Sequence, residues 1–320
     1  LKPFVFITRK LPLEFIQEIK RAADVEMWEE EEVPCPRELL LKKAAKADGL
    51  LTMLSDKVDQ ELLHSAPQLK VIANLAVGFD NIDIDHCTEK GITVCNTPDV
   101  LTDTTADLTF ALMMAAARRI VESAQYVKEG KWKSWGPYLL AGTDLHHKTV
   151  GIVGMGKIGR TFAKRTTGFD MKILYHNRSR NREAEEELGA EYCEFHDLLK
   201  RSDFVVCLAP LTNETKELFN REAFQQMKRE AVFVNASRGA VVVEEALLLA
   251  LEEGWIAGAG LDVFEREPIG GDHPLLRLPN VVALPHIGSA SRETRTEMIQ
   301  LCSRNLSAVL SGKKPETPVQ

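Results

Sequence analysis

Thr149-Val150-Gly151-Ile152-Val153-Gly154-Met155-Gly156-Lys157-Ile158-Gly159 is the stretch that decides how this chain folds. A β-branched run ends in a G-x-G-x-x-G turn and opens into Arg160-Thr161-Phe162-Ala163-Lys164-Arg165, which reads as helix. Gly154 turns the chain sharply, Gly156 lets backbone N–H groups approach a pyrophosphate with no Cβ in the way, and Gly159 lets helix and strand pack closely. Glycine-rich turns are common, so the pattern alone is weak. Here a second strand, Met171-Lys172-Ile173-Leu174-Tyr175, follows in the right order and distance. The stretch Gly154–Gly159, with Lys157 and Ile158, is therefore read as a dinucleotide cradle.

Outward from this turn, apolar runs alternate with amphipathic segments. Before it, residues 4–8, 49–54, 71–76 and 92–95 read as strands; after it, 173–175, 204–208, 231–235, 260–264 and 281–284 do. Such alternation predicts an α/β fold with two doubly wound parallel-sheet domains, the turn opening the second. Leu101 to Arg119 has a helical pattern with Thr102 or Asp103 as N-cap, and Ser291 to Leu310 has helical period again. Residues 121–148 break regularity: Trp132, Trp135, Pro137 and Tyr138 stand in a polar stretch, as expected of a segment that packs against something.

Composition excludes several classes. A net charge of −7 offers no general attraction to nucleic acid or anionic membrane. The longest apolar run, 108–117, is far short of the ~20 residues that span a bilayer. The N-terminus reads as a first strand rather than a signal peptide, and the six cysteines form no C-x-x-C pair, so buried thiols in a reducing cytoplasm are expected.

The end of the second strand separates NAD from NADP. An Asp or Glu there would take the ribose hydroxyls and repel a 2′-phosphate. This chain has His176-Asn177-Arg178-Ser179-Arg180 instead, two guanidiniums and a hydroxyl able to receive a phosphate. NADP (NADPH) is the expected cofactor, with NAD as the alternative.

Three further segments put polar residues at strand ends, where open α/β sheets bind ligands. They are Asn235-Ala236-Ser237-Arg238-Gly239, Leu261-Asp262-Val263-Phe264-Glu265-Arg266-Glu267-Pro268 and Pro285-His286-Ile287-Gly288-Ser289. A loop arginine is usually solvated and a lone histidine usually structural. Arg, Glu and His at three successive strand ends behind a nucleotide turn supply what carbonyl reduction needs: a clamp for a carboxylate and a proton for the developing alkoxide. A histidine hydrogen-bonded to a carboxylate stays protonated to higher pH than a free one, at ~6.5.

These segments, with Ala76-Val77-Gly78-Phe79-Asp80 and Asn96 to Asp107, make the chain resemble the D-2-hydroxyacid dehydrogenase family over essentially its whole length, and most closely its glyoxylate/hydroxypyruvate reductase branch. The resemblance implies a Rossmann-type cofactor domain at 100–288, inserted into a flavodoxin-like substrate domain made of 1–99 and 289–320. It implies that Arg238 binds the substrate carboxylate, His286 is the acid/base and Glu267 tunes it. The Val77 and Gly78 amides receive the carboxylate, and Thr105, Ala236 and Asp262 contact the cofactor. It also implies a homodimer embraced by the segment near 121–148, with Trp135 reaching the neighbour's substrate site. Where NAD-preferring relatives carry an Asp, His176 stands here.

The activity so implied is NADPH-dependent reduction of glyoxylate to glycolate and hydroxypyruvate to D-glycerate. A 2-ketogluconate reductase is the alternative within the class. A dinucleotide-sensing, corepressor-like scaffold is the alternative outside it, and the absence of extra peptide-binding tails speaks against that one. Glu267 speaks against the formate enzymes, and the lack of room after Gln320 for a regulatory domain makes a role in serine biosynthesis the lesser expectation.

Overall fold

The computed structural model describes residues 2–320. Its strands are β1 Phe4–Ile7, β2 Asp24–Met27, β3 Gly49–Thr52, β4 Val71–Asn74, β5 Thr93–Cys95, β6 Thr149–Val153, β7 Lys172–His176, β8 Glu191–Tyr192, β9 Phe204–Cys207, β10 Val232–Asn235, β11 Gly258–Leu261 and β12 Val281–Ala283. They form two sheets, ordered β2-β1-β3-β4-β5 and β12-β11-β10-β9-β6-β7-β8, and each strand-to-strand ladder is parallel. Parallel strands covered on both faces read as continuous apolar runs, and β3, β4, β9, β10 and β11 are buried at every position.

The chain divides into two compact units. One runs to Leu101 and resumes from Ala290 to Gln320; the other is Thr102–Ser289. In the first, the helix Arg292–Leu310 packs on β3 and β4 through buried Leu301, Cys302 and Leu306. Beyond that helix, Pro318 bridges antiparallel to Cys95, and the Val319 N–H donates to Val94 at 2.8 Å. In the second, strand order reverses between β6 and β9, so the glycine turn at the end of β6 lies at the switch point of a Rossmann-type sheet.

Some elements differ from the expectation. β2 and β8 were not anticipated: both are sheet edges, and Asp24 and Glu26 alternate with half-buried Val25 and Met27, a pattern that reads as polar surface. Residues 121–128, placed in an irregular stretch, belong to the helix Ile120–Lys128, which has no buried residue. β11 runs Gly258–Leu261 rather than 260–264: Leu261 pairs with Asn235 and Ala283, the last residues of β10 and β12, so the strand has no partner beyond it. The six cysteines are free and buried. Among the described residues, no helix is long and apolar enough to cross a membrane.

Candidate active site

The glycine turn is shaped as its sequence implies. Gly154 has φ +104°, and a Cβ there would meet the Ala209 nitrogen at 2.4 Å, so neither its conformation nor its space admits a side chain. Gly159 lies against the Gly154 carbonyl, 2.1 Å from a Cβ position. Gly156 differs: a Cβ would meet nothing within 4 Å, and its N–H has no partner among the described residues. Open space, an unpaired amide and the N-terminus of the helix Lys157–Thr166 suit a pyrophosphate.

The neighbouring loop is tied to this turn. The Met155 N–H donates to Asn177 Oδ1 at 2.7 Å, and Asn181 Nδ2 donates to the Met155 carbonyl at 2.9 Å. His176 ends β7 with Nδ1 3.1 Å from the Cys193 carbonyl. Of the two arginines read as phosphate ligands, Arg180 is already engaged: its Nε and Nη2 reach Glu185 at 2.9 and 2.7 Å. Those bonds, with the Tyr175 hydroxyl, pull the Glu185 carboxyl down to about 2. The sequence signal was Glu185 itself, five residues on. Arg178 and Ser179 are exposed, and Arg178's charge acts on Glu214.

At the strand ends, β10 leads into Asn235–Gly239. Asn235 Oδ1 accepts from the Ser237 N–H and hydroxyl, both at 3.1 Å, and its Nδ2 donates to the Arg238 carbonyl at 3.0 Å. Arg238 Nη1 donates to the Ser237 carbonyl at 2.9 Å. Gly239 then presses on the loop after β11, since a Cβ would fall 1.8 Å from the Phe264 carbonyl carbon. This contact sets the Arg238 turn against the loop that carries Glu267. Gly239→Ala is therefore expected to cost about 1–3 kcal/mol, the usual range for overpacking, and to lower kcat as Glu267 shifts. Thermal unfolding together with initial rates checks it; an unchanged melting temperature would contradict the contact.

His286 Nδ1 lies 2.7 Å from Glu267 Oε2, and the other carboxylate oxygen accepts the Phe264 N–H at 2.9 Å. Burial alone would raise the Glu267 carboxyl, but the bond and charge of His286, the Phe264 amide and the charge of Arg238 together lower it. His286 sits at φ +54°, the left-handed region, which persists in a non-glycine residue only when its surroundings fix it. Asp262 does so. Its carbonyl accepts the His286 N–H at 2.9 Å, and its two carboxylate oxygens accept those of Ile287 and Gly288, both at 2.8 Å. Asp262 is 1 % exposed, and burial pushes its carboxyl up against those two amides. Thr105, on the helix Thr102–Ala117, lies beside Gly288. The structure thus brings Arg238, Glu267, His286, Asp262 and Thr105 into one part of the second unit.

Sequence reading passed over Glu244 and His273. Glu244 Oε1 accepts the Glu265 N–H at 2.7 Å, and its Oε2 meets His273 Nε2 at 3.3 Å. Two carboxylates therefore hold the consecutive amides of Phe264 and Glu265. Neither residue stands in a recognisable motif, and only the fold brings them to this loop. Val77 and Gly78 lie in the first unit, in the loop after β4. Trp135 is 80 % exposed, beside Tyr138 at 87 % and Trp132 at 59 %.

Comparison with known proteins gives the lineage. The family described as D-isomer specific 2-hydroxyacid dehydrogenase, NAD binding domain, matches residues 110–288. The glyoxylate reductase of Thermococcus litoralis is 52 % identical over 319 residues, covering 98 % of this chain and 96 % of the relative. A solved protein of Thermus thermophilus superposes with a TM-score of 0.93 at 45 % identity, covering 99 % of this chain and 100 % of the other. The NADPH-dependent glyoxylate/hydroxypyruvate reductase of Sinorhizobium meliloti, solved with NADP and malonate, superposes at 0.89 and 32 % identity, covering 100 % of this chain and 97 % of the other. The chain belongs to the D-isomer-specific 2-hydroxyacid dehydrogenase family, in its glyoxylate reductase branch, and is a nicotinamide-dinucleotide-dependent oxidoreductase.

Proposed function

We propose that this enzyme reduces glyoxylate, and hydroxypyruvate beside it, with NADPH as the preferred cofactor. The observation that carries the reading is the Glu267–His286 pair, 2.7 Å apart, at the end of a strand next to Arg238. It is supported by the names of the relatives and by the NADP-bound neighbour from Sinorhizobium meliloti.

The cradle made by Gly154, Gly156, Lys157, Ile158 and Gly159 holds the pyrophosphate, and Arg178 with Ser179 receives the 2′-phosphate; Thr105, Ala236 and Asp262 line the nicotinamide side. When bound, the dinucleotide supplies the hydride. Arg238 takes the substrate carboxylate in its planar fork. Resemblance to the family gives the backbone amides of Val77 and Gly78 as carboxylate donors too. His286 delivers a proton to the carbonyl oxygen from the ring nitrogen not bonded to Glu267, and Glu267 keeps that ring oriented. The exposed apolar row Ile120, Val121, Val127, Trp132 and Trp135 is the face on which a homodimer forms, Trp135 approaching the partner's substrate.

Initial rates of NADPH and NADH oxidation with glyoxylate, hydroxypyruvate and 2-ketogluconate in parallel test the reading. NADPH is expected to win with the two small acids. Arg178→Ala is expected to lower kcat/KM for NADPH by about tenfold, the scale of a lost charge-assisted contact, and to leave NADH unchanged. Equal losses with both cofactors would remove Arg178 from the phosphate.

A further inference from the structure

Three consecutive carbonyls in the loop after β4 are each held by a donor. The Thr97 N–H reaches the Ala76 carbonyl at 2.8 Å, Asn96 Nδ2 reaches that of Val77 at 2.8 Å, and Asn74 Nδ2 reaches that of Gly78 at 2.9 Å. In a trans peptide the C=O and the following N–H point in opposite directions. Holding these three oxygens therefore turns the N–H groups of Val77, Gly78 and Phe79 the other way. None of the three amides has a hydrogen-bond partner among the described residues. Successive outward amides of this kind form a concavity for an anion.

The two asparagines are themselves fixed. Asn74 is fully buried, and its Oδ1 accepts the Thr52 hydroxyl at 2.9 Å, while its Nδ2 also reaches Asn81 at 3.1 Å. Asn96 is gripped by the C-terminal segment: its carbonyl accepts the Thr317 hydroxyl at 2.7 Å, and its N–H donates to the Thr317 carbonyl at 3.3 Å. Thr317 is in turn held by Asn305 on the helix Arg292–Leu310, whose Oδ1 accepts its N–H at 3.2 Å and whose Nδ2 donates to its hydroxyl at 2.8 Å.

We infer that Asn74 and Asn96 are positioning residues for the substrate carboxylate, that Phe79 contributes a third amide to the cradle, and that Thr317 sets its geometry through Asn96. The inference rests on the proposed role of the Val77 and Gly78 amides. A carboxamide is needed at 74 and 96 because each must donate to a carbonyl; an Asp of the same shape has no proton to give and places charge beside the anion site.

Asn96→Asp is the test, read by the KM for glyoxylate, kcat, and NADPH affinity from fluorescence titration. KM is expected to rise by about tenfold or more, with NADPH affinity unchanged, as fits losing hydrogen bonds to a charged group. A variant that binds NADPH normally and keeps the wild-type KM overturns the inference. Should Asn96→Asp fail to fold, Thr317→Val takes its place: a KM raised by about threefold supports the inference, and an unchanged one overturns it. Wild-type enzyme reducing glyoxal, which has no carboxylate, as well as glyoxylate would overturn the underlying reading instead.

Discussion

His286→Gln is expected to lower kcat for glyoxylate reduction by about 10²–10⁴-fold, the usual contribution of a positioned acid, while NADPH binds as before. The geometry supports so large an effect. The imidazole is held at one nitrogen by Glu267 at 2.7 Å, and its backbone by Asp262 at 2.9 Å. Glutamine keeps the polarity and approximate reach but has no titratable proton to deliver. Initial rates with a parallel NADPH titration check the prediction; unchanged turnover would end the role assigned to His286. The pH dependence follows from the same pair. Glu267 is depressed in the folded protein, so its contribution to stability is complete above the ordinary glutamate value of ~4.3 and is lost as pH falls through its lowered value. Glu267 is thus ionised at neutral pH.

Arg238→Gln is expected to lower kcat/KM for glyoxylate by about 10²–10³-fold, inside the 2–5 kcal/mol that truncating one partner of a desolvated charge pair costs. Its turn is built by Asn235, which binds the Ser237 amide and the Arg238 carbonyl, so a variant at 238 changes the fork without dismantling the loop. Lysine should recover only part of the loss, because a single ammonium cannot reproduce two parallel hydrogen bonds. A carboxylate-free aldehyde separates the roles: its slow reduction should be little changed by the substitution. Equal losses for the aldehyde and for glyoxylate would place Arg238 elsewhere in the chemistry.

What could be read from the chain in advance was what has local cause. β6, β9 and β10 are apolar runs bounded by turn residues, and Gly154 and Gly159 occupy positions where the backbone leaves no room. Arg238, Glu267 and His286 were legible because each follows a strand end within a motif. Edge strands β2 and β8 were not, since pairing on one side leaves their polar residues in water. Nor were Glu244, His273, Asn74 and Asn96, whose work is to hold backbone groups that only the fold brings near. Asp262 was legible only as what the family resemblance implies, a cofactor contact; that its two carboxylate oxygens also fix the amides that follow His286 needed the fold.

The return of the last thirty residues to the first sheet has a consequence for synthesis. β3 and β4 lack their covering helix until Arg292–Leu310 has left the ribosome, whereas the inserted unit, Thr102–Ser289, is complete before then. At ~5–20 residues per second, roughly 190 residues separate the two parts of the first unit by about 10–40 seconds. The unit begun first is thus the unit finished last, and through that interval its apolar strands are an exposed client for whatever guards nascent chains.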